Sequence, residues 1–198
     1  MNRRIYLGVK RGVDWLGAGL ALALSWPLLA AISILIKATS PGPILFRQRR
    51  IGQHGEIFEI FKFRTMFTDT PADTPTHQLA GAGSHITPIG ALLRRSSLDE
   101  LPQLINIWRG QMSFVGPRPA LWNQADLFAE RERYGANDVP QGLTGWAQIN
   151  GRDELEIPEK ARLDGEYARR FGPLMDLRCL VGTVSSTLAA KGVREGQH

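Results

Sequence analysis

Two adjacent carboxylates, Asp99 and Glu100, stand in the run SSLDELPQLINIW, with Arg94 and Arg95 before them and Arg109 after. Arg118 follows between two prolines in SFVGPRP. An ionised carboxylate is a nucleophile and a guanidinium grips phosphate with two parallel donors, so this grouping suits phosphoryl chemistry. The spacing from Ser97 to Glu100 reads as a capping box, which predicts Asp99 in the first turn of a helix. Free amides and the positive end of the helix dipole there stabilise a carboxylate and can also hold phosphate oxygens. The same pattern has a purely structural reading. Acids at helix starts are commonly caps, so Glu100 reads first as a cap and Asp99 as either a cap or a nucleophile. Neighbouring helical positions point in different directions, and adjacency alone does not make a proton-sharing pair. The flanking prolines restrict the backbone around Arg118 and present its guanidinium at little ordering cost, whereas Arg95 and Arg109 read as solvated surface.

These groups must be positioned by the elements around them. Thr87 with Pro88 is a helix start, LPQLINIW supplies the apolar residues of a following helix, and Pro102 forbids a long undisturbed helix between. Upstream, ILFRQRRIG and EIFEIFKFRTM are two strand-like stretches separated by Gln53, His54 and Gly55, which predicts a β-hairpin. Thr68 to Ser84 reads as a long loop. Neither a Walker A sequence nor a dinucleotide fingerprint occurs, and there is no alternating train for a doubly wound sheet.

The run from Trp15 to Ile36 carries no charged residue and is long enough to be a membrane segment. Pro27, near its middle, removes a backbone hydrogen bond, which predicts a kink or break with Ser25 as a local hydrogen-bonding partner. Basic residues flank both ends: Arg3, Arg4, Lys10 and Arg11 before, Lys37, Arg47, Arg49 and Arg50 after. If both ends prefer the cytoplasm, the segment is re-entrant; a kinked single span, a secretory signal peptide and a buried core helix are the rival readings.

The chain has 198 residues, the size of one domain, with 43% hydrophobic and 22% charged residues, a balance that excludes a polytopic membrane protein and long disorder. A net charge of +5 favours an anionic partner. Cys179 is the single cysteine and the four histidines lack ligand spacing, so no structural metal is expected.

SSLDELPQLINIWRGQMSFVGPRP, together with SPGPILFRQRRIG, FKFRTM and GLTGWAQINGR, closely resembles the bacterial sugar transferase family of monotopic polyprenol-phosphate phosphoglycosyl transferases. The resemblance covers nearly the whole chain. It implies transfer of a sugar 1-phosphate from a UDP-sugar to undecaprenyl phosphate, release of UMP, and Mg²⁺ as cofactor. The implied fold is α+β: a mostly helical compact catalytic domain with a β-hairpin over 40–198, including interfacial helices, and a basic N-terminus with a re-entrant membrane helix over 1–39. The implied setting is the cytoplasmic face of the bacterial inner membrane. Its partners are the UDP-sugar, undecaprenyl phosphate and inner-membrane lipid, with no nucleic acid.

Residue by residue, the resemblance makes Asp99 the nucleophile, forming a covalent phospho-sugar intermediate, and Glu100 its acidic partner in metal or proton handling. Lys62, Arg94 and Arg118 match phosphate-binding positions. Asp99, Glu100 and Asp164 are candidate metal ligands, and Gln148, Asn150 and Arg152 are candidates for the nucleotide site. GLTGWAQINGR either lines that site or braces the hairpin. Many members carry Ser directly before the helix-breaking Pro; this chain has Trp26 there, with Ser25 one step earlier. The chain resembles a minimal catalytic form without the extra N-terminal membrane domain of larger relatives. A rival of another class, a membrane-anchored basic module binding anionic lipid or nucleic acid, explains the anchor and the charge. It does not explain an acid pair beside a constrained arginine.

Overall fold

The apolar N-terminal run forms one helix, α1 (Arg3–Thr39), in a computed structural model that describes residues 2–71, 82–151 and 155–188. Among the described residues α1 is the one helix long and apolar enough to cross a membrane. Tyr6, Lys10, Asp14, Ala18, Ile32 and Ile36 are buried, at spacings that keep them on a single face. Ile5, Val9, Leu16, Leu20, Leu24 and Trp26 on the remaining surface are exposed. The helix is thus half covered: one stripe lies on protein and its back is free.

That stripe is gripped at both ends by the same folded body. Near the N-terminus, Tyr6 and Lys10 both donate to Asp176, at 2.6 and 2.5 Å, and Tyr167 donates to the other oxygen of the same carboxylate at 2.7 Å. Ala18 packs with Ile60, Leu104, Ile107 and Met112. Further along, Ile32 and Ile36 pack with Phe63 and Leu93. Arg64 then donates to the carbonyls of Ser40 and Pro41, where α1 ends.

The expected break at Pro27 is corrected by this arrangement. The helical run continues through Pro27 without interruption, and Ser25 Oγ, expected as a hydrogen-bonding partner, is buried and makes no hydrogen bond among the described residues. The physical reason lies in packing. Ala21 and Leu22 before the proline and Leu29 and Ile32 after it belong to clusters on one side of the helix, which keep the chain helical on both sides of Pro27 at the cost of one backbone bond.

The hairpin forms as the alternation predicts. β1 (Leu45–Ile51) and β2 (Ile57–Phe63) pair antiparallel, Leu45 opposite Phe63 and Ile51 opposite Ile57, around a tight turn at Gln53–Gly55. Helix α2 (Pro88–Arg95) begins where expected, with Thr87 Oγ1 accepting from the Gly90 amide at 3.0 Å. Residues 72–81 of the expected loop lie outside the described residues. Helix α3 (Gln103–Trp108) covers the free edge of β2: Asn106 Oδ1 accepts from the Phe61 amide at 3.0 Å and Asn106 Nδ2 donates to the Glu59 carbonyl at 2.6 Å. An uncovered edge would otherwise expose a row of unpaired amides and carbonyls.

Strand β3 (Ser113–Val115) leads through the Arg118 segment to β4 (Ala120–Leu121), which adds to the hairpin in the order β2-β1-β4. After α4 (Ala125–Glu132), β5 (Gly142–Thr144) pairs parallel to β3. The short α5 (Trp146–Ile149), then α6 (Ile157–Arg169) and α7 (Pro173–Leu188), complete an α+β fold dominated by helix.

Lys10 and Asp176 are both nearly enclosed, and removing one partner of a buried pair leaves an uncompensated charge. Lys10→Ala should lower unfolding stability by about 3 kcal/mol, read as a reduced denaturant midpoint of the full chain in detergent. An unchanged midpoint would show that the pair does not anchor α1.

Candidate active site

Lys62, near the end of β2, reaches a carboxylate that the chain supplies 38 residues later: its Nζ donates to Glu100 Oε1 at 2.6 Å. Arg118 closes on the same group as a fork, one nitrogen donating to Oε1 and the other to Oε2 at 3.4 Å. The three side chains are partly buried together. Burial alone would raise the Glu100 value, but the Arg118 and Lys62 charges and their hydrogen bonds outweigh it and hold the carboxyl well below the usual range. Lys62 is pulled below the ordinary lysine value, chiefly by burial, against the opposing pull of Glu100.

Asp99 sits beside this cluster in a different condition. It is 8% exposed, and among the described residues its carboxylate accepts no hydrogen bond. Burial raises its value and the Glu100 charge adds to the rise, while Lys62, Arg94 and Arg118 oppose it. The two acids are therefore driven apart: Glu100 is an ionised clamp, and Asp99 is the more basic and the less engaged. The structure brings together Lys62, Arg94, Arg118, Asp99 and Glu100, five of the residues singled out in the sequence.

The local backbone is not the expected capping box. Ser97 adopts a left-handed conformation with φ +56° and makes no side-chain cap, and Leu98–Glu100 form a single 3-10 turn. Leu98 packs against the Phe63 and Leu93 cluster while Glu100 is drawn to the two cations, so tertiary partners rather than the helix end decide this turn. Pro102 then occupies the start of α3.

Arg118 is held by a close backbone seam. The Gly116 amide donates to the Thr144 carbonyl and the Gly142 amide to the Pro117 carbonyl, both at 2.8 Å. A side chain on Gly145 would bring its Cβ to 2.0 Å from the Gly116 carbonyl oxygen, and one on Gly142 to 2.1 Å from the Gly116 nitrogen. GLTGWAQ thus braces the Arg118 segment rather than the hairpin. Arg50 donates to the Pro119 carbonyl at 3.0 Å from the other side. Asp14 on α1 accepts from the Phe114 amide at 3.0 Å, and Tyr167 donates to the Val115 carbonyl at 3.0 Å. Asp14 and Arg50 were not foreseen as supports, because each is bound to backbone remote in sequence and leaves no spacing signature.

Other candidates fall elsewhere. Asp164, expected as a metal ligand, is wholly buried and accepts from Arg131 at 2.6 and 2.8 Å. Burial raises its value and the charges that act on it are Arg131 and Lys160, not the Asp99 cluster. That reading is corrected, since α6 and α4 need this pair to neutralise Arg131. Gln148 donates to the Leu143 carbonyl at 3.4 Å and Asn150 to the Trp146 carbonyl at 2.7 Å, local bonds at both ends of α5. Arg152 lies outside the described residues. Among the described residues no three acids, histidines or cysteines group to hold a metal unaided. Asp99, free of hydrogen bonds, fits Mg²⁺ as one ligand among substrate phosphate oxygens, the usual mode for this ion.

Residues 5–190 match the family model described as bacterial sugar transferase. The chain is 40% identical over 199 residues to the UDP-glucose:undecaprenyl-phosphate glucose-1-phosphate transferase of Xanthomonas campestris pv. campestris, across 96% of this chain and 41% of that protein. It is 34% identical over 190 residues to the uncharacterized sugar transferase EpsL of Bacillus subtilis, covering 96% and 92% of the two. It is 34% identical over 196 residues to the UDP-N-acetylgalactosamine-undecaprenyl-phosphate N-acetylgalactosaminephosphotransferase of Aeromonas hydrophila, across 96% of this chain and 46% of that one. The chain thus spans less than half of the Xanthomonas and Aeromonas proteins.

The seam yields a direct test. Gly145→Ala should cost about 1–3 kcal/mol by overpacking, lowering the thermal midpoint. Gly12→Ala, where a Cβ meets nothing within 4 Å, should not lower it. Equal midpoints for Gly145→Ala and wild type would show that the seam yields freely.

Proposed function

The chain belongs to the bacterial sugar transferase family, and on that premise we propose that it moves a sugar 1-phosphate from a UDP-sugar to undecaprenyl phosphate through a covalent intermediate on Asp99. The observation that carries this reading is the division of labour between the two acids. Glu100 is committed to Lys62 and Arg118, and Asp99 lies within the influence of Lys62, Arg94 and Arg118 while accepting no hydrogen bond among the described residues.

An Asp99 oxygen attacks the β-phosphorus of the UDP-sugar. The bond from that phosphorus to the bridging oxygen breaks, and UMP leaves with the electron pair. The product is an acyl phosphate bearing the sugar. A phosphate oxygen of undecaprenyl phosphate then attacks the same phosphorus, the bond to Asp99 breaks, and the carboxylate is regenerated with undecaprenyl-diphosphate sugar released. An anion attacks an anion in both halves, so positive charge must lie where negative charge gathers. Arg118 and Lys62, oriented by Glu100, offer their remaining N–H donors and their charge to the diphosphate, and Arg94 adds charge from the end of α2. Mg²⁺, held by Asp99 and the substrate phosphates, would supply further charge neutralisation when bound. The relatives' names include both glucose and N-acetylgalactosamine donors, and no residue described above selects between them.

The membrane placement follows from α1. A spanning helix would put its ends on opposite sides of a hydrocarbon core of about 30 Å. Here both ends are tied to one folded body bearing the charged cluster. This supports a monotopic protein on the cytoplasmic face, with both ends of α1 on that side and its exposed back in lipid.

Two outcomes check the reading. Asp99→Asn should abolish UMP release, by 1000-fold or more on the order expected for losing a nucleophile. Glu100→Gln should instead weaken it by releasing Lys62 and Arg118. Full UMP release from Asp99→Asn would remove Asp99 from this role. For topology, single cysteines replacing Asn2 and Thr39 should both react with an impermeant thiol reagent from the cytoplasmic side. Native Cys179 stays silent because it is buried and its thiol is pushed up to about 12. Labelling from opposite sides would mean a true span.

A further inference from the structure

Three indole rings gather along one flank of α1. Trp15 and Trp26 are about three helical turns apart, so they share that flank, and both are exposed. Between them Gly19 leaves room for Trp108 at the end of α3. A Cβ on Gly19 would stand 3.5 Å from the Trp108 indole nitrogen, and Trp108 is itself 47% exposed. Exposed tryptophans lined up beside an apolar helix are the pattern of a membrane–water boundary.

Arg109 follows Trp108 directly. Its guanidinium lies 5.3 Å from the centre of the Phe61 ring, and that of Arg47 lies 5.5 Å from the same ring. Arg47 faces Phe61 across the hairpin while Lys62 pairs with Phe46, so Arg47 and the Phe61 ring that both guanidinium groups approach lie on the strand face opposite to Lys62. They are outside the Glu100 cluster. Arg109 forms no ion pair among the described residues. Arg47 has one loose contact, 3.9 Å to Glu59, with both side chains well exposed, which binds it weakly. Two like charges over one ring therefore have little internal compensation, and Arg109 joins them to the tryptophan row through its chain neighbour Trp108.

We propose that Arg47 and Arg109, placed over Phe61 next to Trp108 of the tryptophan row, bind the phosphate of an anionic membrane phospholipid. The occupant follows from continuity: the row sets the level of the lipid headgroups, the exposed back of α1 receives the acyl chains, and paired guanidinium groups match a phosphate. The site rests on the reading that α1 lies in the bilayer, and it is distinct from the acceptor-lipid chemistry at Asp99.

The test is native mass spectrometry of the full chain from neutral detergent, supplied with phosphatidylglycerol or phosphatidylcholine. Two basic side chains near the membrane surface are worth about fivefold each, so wild type should retain phosphatidylglycerol on the order of 30-fold better. Arg47→Gln/Arg109→Gln should bring the two lipids close to parity, with the thermal midpoint in detergent unchanged. Arg47→Lys/Arg109→Lys should keep most of the preference, and Arg133→Gln, on the exposed end of α4, should keep all of it. A preference that survives the double Gln variant, or that falls equally with Arg133→Gln, overturns the site. So does a double variant that alters self-association while lipid retention stays the same. Retention of neither lipid by wild type would count against α1 in the bilayer; equal retention of both would count against this site alone.

Discussion

Glu100 shares one carboxylate between Lys62 and Arg118, and much of the fold is arranged to make that possible. The two cations arrive from separate segments, the end of β2 and the turn between β3 and β4, and would repel one another if brought together without it. Each approach has its own support. Lys62 depends on the hairpin and on Asn106, which covers the edge of β2. Arg118 depends on the glycine seam between Gly116 and residues 142–145 and on Arg50 beyond Pro119. With Glu100 occupied, Asp99 is left buried, more basic than an ordinary aspartate and, among the described residues, without a hydrogen-bonding partner. A weak anion poised among cations is suited to receive phosphorus, and the proposed chemistry is built on this asymmetry between neighbours.

Helix α1 belongs to the same mechanical unit. Asp14 holds the Phe114 amide two residues before Gly116, and Asp176 ties Tyr6, Lys10 and Tyr167 together, with Tyr167 also reaching Val115. The N-terminal half of α1 thus grips the strand that delivers Arg118. A shift of the helix would be felt at the site through backbone hydrogen bonds. The arrangement suits an enzyme whose two proposed substrates come from water and from lipid.

What the sequence discloses is what local chemistry determines. Alternation and a Gly-bearing turn reveal the β-hairpin, and Thr87-Pro88 reveals the start of α2. The motifs resembling the family name Lys62, Arg94, Asp99, Glu100 and Arg118, which the fold brings together. Readings that rest on spacing alone fare worse when a distant partner intervenes. The supposed capping box yields to Lys62 and Arg118, the expected break at Pro27 yields to packing on both sides of it, and Asp164 is claimed by Arg131. Asp14 lies just before the apolar run, and its partner is a backbone amide 100 residues away. No periodicity reports such a bond, and the crowding that requires Gly142 and Gly145 is likewise visible only in three dimensions.

The division between an engaged Glu100 and a free Asp99 is tested most directly by trapping. The full chain in detergent, incubated with UDP-sugar and Mg²⁺ but no lipid acceptor, is quenched with hydroxylamine, which converts an acyl phosphate to a hydroxamate, and its peptides are read by mass spectrometry. The account predicts a hydroxamate on Asp99, at most one per chain, dependent on UDP-sugar and abolished by a prior chase with undecaprenyl phosphate. A hydroxamate on Glu100, or none on either acid while UMP is released, would contradict it.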